Sequence, residues 1–188
     1  MNALDLLIAD HNRVRGLFAR FDAAKDADDT ATMVELAEKI FEELTVHTTI
    51  EEEIVYPEVH DTTEAVADTV DEGLQEHHVV KVLMGELGEV EAGSDVWTAK
   101  MTVLIENVKH HADEEEQDLF PSLRRPLTGR LDEMGDRLEA RKAELGAPVL
   151  ADKIDLTKAE LLDLAQEQKI PGRSTMSQEE LAATVAPS

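Results

Sequence analysis

Four stretches of this chain repeat hydrophobic residues with helical spacing, and each has a histidine where the pattern would place a leucine. Spacings of three and four residues put these positions on one face of an α-helix, which turns toward a bundle interior. In two stretches a glutamate follows the histidine by four residues on the same face. The histidines are His11, His47, His77 and His111, and the glutamates are Glu51 and Glu115. Because burying so many titratable groups without partners is prohibitive, the pattern predicts a cation among them.

The composition favours an all-α protein. Aromatic residues are only 3% of the 188, whereas leucine, valine, alanine and glutamate are abundant. The formal charge of −24 argues against binding to nucleic acid or anionic lipid. The lack of cysteine excludes disulfides, thiolate metal sites and iron–sulfur clusters, and it fits a reducing cytosol. Since no apolar run is long enough to span a bilayer, we expect a soluble, cytoplasmic protein.

Turn signals divide the first three quarters of the chain into five helices. The predicted ranges are 3–24, 30–56, 63–91, 95–120 and 126–145. Pro57 should end or kink the second helix, because its ring removes an amide donor and clashes with the preceding turn. Asp95 is the expected N-cap of the fourth helix. Short links between long helices favour antiparallel neighbours, so we predict an up-down-up-down four-helix bundle with an extra helix.

The chain also repeats itself. The segments HTTIEEEIVYP and HADEEEQDLFP begin at His47 and His111, 64 residues apart, and share histidine, glutamate and proline at the same offsets. The segment around His11 matches that around His77 at an offset of 66. Two helical hairpins, each with a lone histidine and a His-x-x-x-Glu pair, predict a pseudo-symmetric site.

Placement distinguishes functional His-x-x-x-Glu pairs from chance ones, since glutamate is common in this chain. His60 follows Pro57 in a turn and lies on no apolar face, so we assign it to the surface. His110 shares a mostly polar helix face, whereas His111 shares its face with Met101 and other apolar residues. His111 and Glu115 are therefore the predicted site residues of the fourth helix.

The predicted donors suit a pair of metal ions. Residues four apart in a helix are roughly 6 Å apart along the axis and nearly aligned around it, so both reach one centre. Four imidazole nitrogens and four carboxylate oxygens fit two iron or manganese ions better than one tetrahedral zinc. The alternative is a polar bundle core whose histidines are satisfied by hydrogen bonds.

These residues resemble the haemerythrin-like family, also called HHE domains, over residues 1–145, and we take 1–146 as the domain. The resemblance implies a bundle with two non-haem iron ions joined by an oxo or hydroxo bridge; manganese is the alternative metal. It implies His11 and His47 as terminal ligands of one ion and His77 and His111 of the other, with Glu51 and Glu115 bridging. Oxygen-carrying haemerythrins have a second histidine where this chain has Lys81, so the implied centre is more open.

Tyr56 is a further candidate ligand. Five residues after Glu51 on a regular helix it would face away from the metals, but Pro57 makes regularity doubtful. The MNA start and the HxxIExxxxYP stretch resemble an actinobacterial haemerythrin-like subgroup, which implies that Tyr56 binds iron. Its counterpart, Phe120, has no ligating atom, so such coordination would be one-sided. The alternative is that Tyr56 packs at a helix end.

Three functions compete. The first is a catalase-like enzyme acting on hydrogen peroxide, which an open metal centre and the resemblance both favour. The second is a sensor or binding protein for dioxygen, nitric oxide or iron, without turnover. The third is a structural bundle or zinc-binding adaptor. The sequence favours the first, and it leaves open whether the protein is an enzyme.

Residues 152–188 form a separate predicted helix–loop–helix module. Capping boxes at Thr157 and Ser177 would open its two helices, joined by an extended connector at 169–174. The module resembles those at the N-terminus of transcription termination factor Rho and in SAP domains, which often contact nucleic acid. Seven acidic and four basic residues argue against DNA here. We expect a protein partner or self-association instead, and the alternative is an inert packing appendage.

Overall fold

The computed structural model describes residues 1–147, 162, 165–166, 170 and 172–176. The chain divides into two compact units, Met1–Leu145 and Gly146–Ser188. The helices of the first unit are α1 (Ala3–Asp26), α2 (Thr30–Ile50), α3 (Tyr56–Val59), α4 (Glu64–Gly88), α5 (Asp95–Glu114), α6 (Phe120–Leu123) and α7 (Leu131–Glu144). Two π-helical turns, Glu51–Val55 and Glu115–Leu119, join α2 to α3 and α5 to α6.

The all-α four-helix bundle with an extra helix is confirmed. Helices α1 and α2 pack as one hairpin and α4 and α5 as the other, while α7 packs chiefly on α1. A core of apolar residues from all four long helices includes Phe18, Phe21, Ile40, Trp97 and Met101. Within the described part of the chain, no helix is long and apolar enough to cross a membrane.

The fourth long helix is capped by Ser94 rather than Asp95. The Ser94 hydroxyl accepts a hydrogen bond from the Trp97 amide at 3.2 Å, and Ser94 has extended backbone angles. The prediction of Asp95 as N-cap is therefore wrong. Asp95 is already helical, and its negative charge in the first turn favours the positive end of the helix dipole.

Pro57 does not end its helix, which was the first of the two predicted alternatives; instead a π turn interrupts the regular helix before it. The Tyr56 amide donates to the Glu51 carbonyl, five residues back, and α3 continues through Val59. A proline ring clashes with the carbonyl four residues before it, and a π turn is a local irregularity that relieves this clash without stopping the helix. The second hairpin has the same π turn. There the Phe120 amide donates to the Glu115 carbonyl, and Pro121 follows.

The extra helix begins later than predicted. Turns precede Leu131, and Gly129 has a φ of 84°, a left-handed conformation that interrupts a right-handed helix. Leu127 is nevertheless buried, as its place in the apolar pattern requires. The third long helix ends at Gly88, three residues before the predicted boundary.

In the second unit only short stretches are described. Gly172 has a φ of 74°, and Arg173–Thr175 form a 3₁₀ turn, so the prediction of an extended connector is wrong at these residues. Glycine adopts this left-handed conformation without the steric cost that a side chain would bring. The capping boxes at Thr157 and Ser177 lie outside the described residues. The domain limits 1–146 and 152–188 and the likeness to Rho and SAP modules stay predictions.

Candidate metal centre

Six of the seven residues predicted from the sequence as metal ligands meet in the bundle interior. Each long helix contributes one histidine to the site, and the two glutamates begin the two π turns. None of the six is more than 6% exposed: His11, His47, Glu51, His77, His111 and Glu115. By contrast, the side chains of His60 and His110 are 40% and 64% exposed. The predicted helix faces therefore point into the bundle interior, as the hydrophobic periodicity indicated.

The histidines form two matching pairs. The Nε2 atoms of His11 and His47 lie 3.1 Å apart, and those of His77 and His111 also lie 3.1 Å apart. The ring centroids of each pair are separated by 4.7 Å, with interplanar angles of 64° and 62°. One pair comes from each hairpin, so the repeat in the sequence is a repeat in space.

Each carboxylate lies between the two histidine pairs. Glu51 Oε2 is 3.2 Å from Nε2 of His47 and 3.3 Å from Nε2 of His77. Glu115 Oε2 is 3.3 Å and 3.7 Å from Nε2 of the remaining member of each pair. Both oxygens of Glu51 and Oε2 of Glu115 are buried without a hydrogen-bond partner in the described chain. Buried polar atoms rarely lack partners, so a cation between them would complete the site.

A second set of carboxylates faces the outer nitrogen, Nδ1, of each histidine. The pairs are His11 with Glu116 at 2.8 Å, His77 with Glu52 at 2.9 Å, His111 with Glu76 at 2.7 Å and His47 with Asp10 at 3.8 Å. A neutral imidazole that donates from Nδ1 has its lone pair on Nε2. Where both imidazoles of a pair are neutral in this form, two lone pairs face each other, and a metal ion would accept both. Such outer partners are typical of metal-binding histidines.

Sequence reasoning did not identify these outer carboxylates. The sequence did contain a signal, because each outer carboxylate is the chain neighbour of a predicted ligand. An acidic residue precedes His11 and His77 and follows Glu51 and Glu115, so the pattern recurs in both repeats. What the sequence lacked was the partner, since each outer carboxylate lies on a different helix from the histidine it holds.

Lys81, four residues after His77, has a structural role in this site. Its Nζ donates to Glu52 Oε1 at 2.6 Å, and Glu52 in turn holds His77. Arg15, 66 residues earlier, donates to Glu116 Oε1 at 2.7 Å in the other half. Arg15 lies four residues after His11, and Lys81 lies four residues after His77. Equivalent ion pairs therefore stabilise the two halves of the site.

Tyr56 faces the site. It is 2% exposed, and its hydroxyl donates to Glu115 Oε1 at 2.9 Å. Its ring stacks on His77 at 5.5 Å, as Phe120 stacks on His11 at 5.9 Å. The expectation for a regular helix, that Tyr56 faces away, does not hold. A π turn rotates less per residue, so a residue five positions after Glu51 returns to the same side.

The buried groups shift one another's proton affinities. Burial lowers the pKa of His47 to about 4. Burial acts the same way on His11, but hydrogen bonds to two glutamates outweigh it and raise that pKa to about 9. Burial and the charge of Glu115 raise the pKa of Glu51. Burial, with the charges of Glu51 and Glu115, also raises the pKa of Tyr56, so its hydroxyl keeps its proton. A cation between the carboxylates would remove the conflict between their charges.

A small cavity adjoins the histidines on the side away from Tyr56. The centre of a water-sized sphere can move within a volume of about 20 Å³ in this cavity. This is enough space for about one water molecule. All four histidines line it, and Val14, Phe18, Val80 and Val108 form much of the remaining wall. The cavity therefore admits only a very small molecule.

The donor set fits two metal ions. Two fully buried groups have ligand atoms that all lie within 4.8 Å of one another: His11, His47, Glu51 and Glu115 in one, and Glu51, His77 and His111 in the other. A third group, Glu76, His110 and Glu114, meets the same distance but is not buried. Imidazole and carboxylate donors without thiolate suit iron, manganese or zinc. Glu51 belongs to both buried groups, which is the arrangement a bridging carboxylate requires.

Comparison with known proteins agrees with this geometry. A DNA nickase of Nostoc sp. is 26% identical over 146 residues, covering 77% of this chain but 40% of the nickase. An uncharacterized protein of Mycobacterium tuberculosis is 28% identical over 167 residues, covering 85% of this chain and 99% of that protein. An uncharacterized hemerythrin-like protein of Schizosaccharomyces pombe is 27% identical over 125 residues, covering 66% of this chain and 60% of that protein. No solved structure matches significantly.

The family model described as the hemerythrin HHE cation binding domain matches residues 2–123. The match spans both hairpins and both π turns, and it includes the buried histidines, the two carboxylates between them and Tyr56. The chain belongs to the hemerythrin HHE cation-binding domain family.

Proposed function

We propose that the bundle binds two non-haem iron ions, with manganese as the alternative metal, and that the loaded centre consumes hydrogen peroxide. In this proposal His11 and His47 hold one ion, His77 and His111 hold the other, and Glu51 and Glu115 bridge them. The observation that carries the proposal is the position of both carboxylates between two histidine pairs, each 3.1 Å across. The nitrogen and oxygen donor set favours iron or manganese in such a site.

The chain supplies proton handling beside the metals. Bound iron would supply two oxidation states, which the net reaction of two hydrogen peroxide molecules to two water molecules and one dioxygen requires. Tyr56 keeps its proton and donates it in a hydrogen bond to Glu115 Oε1. The hydroxyl is therefore placed to hold or pass a proton at one side of the site.

The cavity restricts what reaches the centre. With space for about one water molecule, it fits hydrogen peroxide and excludes bulky organic hydroperoxides. Val14, Phe18 and Val80 keep bulk water from its wall, which strengthens the electrostatic interactions of the buried groups.

The proposal is tested on iron-loaded, full-length protein. We expect two iron ions per chain by elemental analysis, oxo-bridge charge-transfer bands, and rapid peroxide consumption with half a dioxygen released per peroxide. His47→Ala and Glu115→Ala should lose both iron and activity. His60→Ala is the matched control, because His60 is exposed and should leave both unchanged. Consumption no faster than that of free iron would contradict the proposal.

The prediction that Tyr56 is itself a ligand has a separate test. A tyrosinate-to-iron absorption band at long wavelength, lost in Tyr56→Phe, would establish ligation. An unchanged spectrum in Tyr56→Phe would leave the hydroxyl as a hydrogen-bond donor to Glu115 and would rule out ligation. Tyr56 is the only tyrosine in the sequence, so the band has one possible source.

A second candidate is reversible binding of dioxygen or nitric oxide without turnover. The apolar part of the cavity wall favours it, because a small, weakly polar gas needs few hydrogen bonds there. Gas-induced spectral changes that reverse on gas removal, together with slow peroxide consumption, would favour this function over the first.

A further inference from the structure

The two halves of the metal centre differ at one aromatic position. The π turns place Tyr56 and Phe120 alike, each with its ring stacked on a histidine. Only Tyr56 carries a hydroxyl, and that hydroxyl needs space beyond the end of the ring. The space must come from a neighbouring helix.

Gly73 on α4 provides this space. It is buried, one helical turn before His77. A Cβ at Gly73 would lie 3.0 Å from Tyr56 Oη, a tight contact that requires the hydroxyl or the helix to shift by a few tenths of an ångström. The same Cβ would lie 3.5 Å from the nearest ring carbon of Tyr56 and 3.5 Å from Cε1 of His111, both ordinary contacts. The conflict is therefore with the hydroxyl oxygen rather than the ring.

The other half has a large side chain at the matching position. Leu7 lies one turn before His11, 66 residues before Gly73, and it is fully buried. The backbone does not require glycine at residue 73, because its φ is not among the positive values. Glycine in the middle of a helix lowers helix stability. Steric room for the hydroxyl is thus the feature that distinguishes Gly73 from Leu7.

We propose that Gly73 is a positioning residue that admits the Tyr56 hydroxyl to Glu115 and so makes the two metal positions chemically unequal. The hydroxyl supplies a proton donor beside Glu115 Oε1, while neither oxygen of Glu51 has a hydrogen-bond partner in the described chain. A molecule bound at the centre would therefore meet the tyrosine hydroxyl on the Tyr56 side only. The consequence for peroxide rests on the proposed function, but the placement of the hydroxyl does not.

A double-mutant cycle on the metal-free, full-length protein tests the placement. We expect Gly73→Ala to lower the Tm when residue 56 is tyrosine and to raise it in the Tyr56→Phe background. Gly85→Ala is the matched control, because Gly85 lies on the same helix with nothing near its Cβ position. It should raise the Tm slightly in both backgrounds, since alanine is the better helix former. Equal shifts for Gly73→Ala in both backgrounds would overturn the proposal.

Two further measurements make the cycle decisive. The Raman doublet of the single tyrosine reports hydroxyl hydrogen bonding and should change in Gly73→Ala but not in Gly85→Ala. If Gly73→Ala does not fold, the Gly73→Ala/Tyr56→Phe protein should fold, and its failure to do so would refute the idea. In iron-loaded protein, peroxide consumption by Gly73→Ala should fall to the level of Tyr56→Phe. If the double-mutant cycle shows the expected coupling but the iron-loaded protein does not consume peroxide, the placement of the Tyr56 hydroxyl is retained and the proposed reaction is rejected.

Discussion

At the scale of single residues, the orientation of each imidazole depends on a charged neighbour from another helix. Asp10, which faces His47, is itself held by Lys142 of α7. Burial alone would raise the pKa of Asp10, but hydrogen bonds and the charge of Lys142 lower it to about 2. The lowered pKa keeps Asp10 charged beside His47, as an outer partner that orients a metal-binding imidazole is expected to be.

Glu116→Gln should weaken metal binding without unfolding the bundle. The amide keeps the shape of the side chain but loses the charge that orients His11, and Arg15 retains Asp113 as a partner at 2.7 Å. Loss of such an outer partner typically costs about 10–100-fold in metal affinity. Competition with a metal chelator measures the affinity. Glu106→Gln, an exposed change on α5, should leave it unaltered, and equal affinities for both variants would contradict the prediction.

At the scale of helices, the π turns and α7 adapt the bundle to its site. Each π turn lets a proline follow Glu51 or Glu115 by six residues without ending the helix, and it places an aromatic ring against a histidine. Helix α7 covers α1 and carries arginines that pair with the segment after Glu51, including Arg141 with Glu53 at 2.7 Å.

Close packing of α7 predicts a strong effect at Gly135. A Cβ there would collide with the Met1 carbonyl oxygen and lie 3.1 Å from the Ala3 nitrogen. Gly135→Ala should lower the free energy of unfolding by about 1–3 kcal/mol, the usual cost of overpacking. Gly85→Ala should raise it by roughly 0.5–1 kcal/mol, because its Cβ position is open. Urea unfolding monitored by circular dichroism distinguishes the two, and unchanged stability of Gly135→Ala would show that α7 sits differently.

The N-cap of α2 predicts a pH dependence. Hydrogen bonds from the Thr32 side chain and amide lower the pKa of Asp29. The native state therefore holds the proton less tightly than the unfolded chain, whose aspartate has a pKa near 3.9. The stabilisation is complete above about pH 4 and is lost as the pH falls through the lower native pKa.

Asp29→Asn retains a capping oxygen but does not titrate. We expect its Tm to stay constant relative to other variants as the pH falls below about 4, whereas the wild-type Tm declines relative to it. Asp29→Ala should have a lower Tm than either above pH 4. Parallel melting curves for wild type and Asp29→Asn over this range would be evidence against the assigned cap.

At the scale of the whole molecule, metal binding and folding should be coupled. Among the described residues, the bundle interior contains carboxylate oxygens without hydrogen-bond partners and four imidazoles, in a protein of net charge −24. Bound cations remove local repulsion and bind only the assembled site. The C-terminal module stays a predicted docking or self-association element, and binding to DNA that falls steeply with added salt would contradict its acidic balance.

Adding iron should therefore raise the Tm, and a chelator should reverse the effect. At free metal about 100-fold above the Kd, linkage predicts about 2.7 kcal/mol of stabilisation. At roughly 2–4 °C per kcal/mol, the Tm would rise by about 5–11 °C. His11→Ala/His111→Ala, which removes one nitrogen from each pair, should show no such rise. A metal-independent Tm in the wild type would be incompatible with a metal centre in the core.

Much of the bundle was readable from local patterns. Residues three and four apart share a helix face whatever the rest of the chain does, so the buried faces of His11, His47, His77 and His111 followed from their apolar neighbours. The same logic separated His111 from the exposed His110.

The helix irregularities, and the side chains that contact one another between helices, could not be predicted from local patterns. The orientation of Tyr56 depended on a backbone hydrogen bond spanning five residues instead of four, which side-chain periodicity does not encode. The outer carboxylates Glu52 and Glu116 reach histidines 25 and 105 residues away, and the room at Gly73 exists only because α4 lies against Tyr56. Sequence by itself determined which faces turn inward, because that is local geometry. Tertiary structure decided what those faces meet, because docking of the hairpins sets every contact between them.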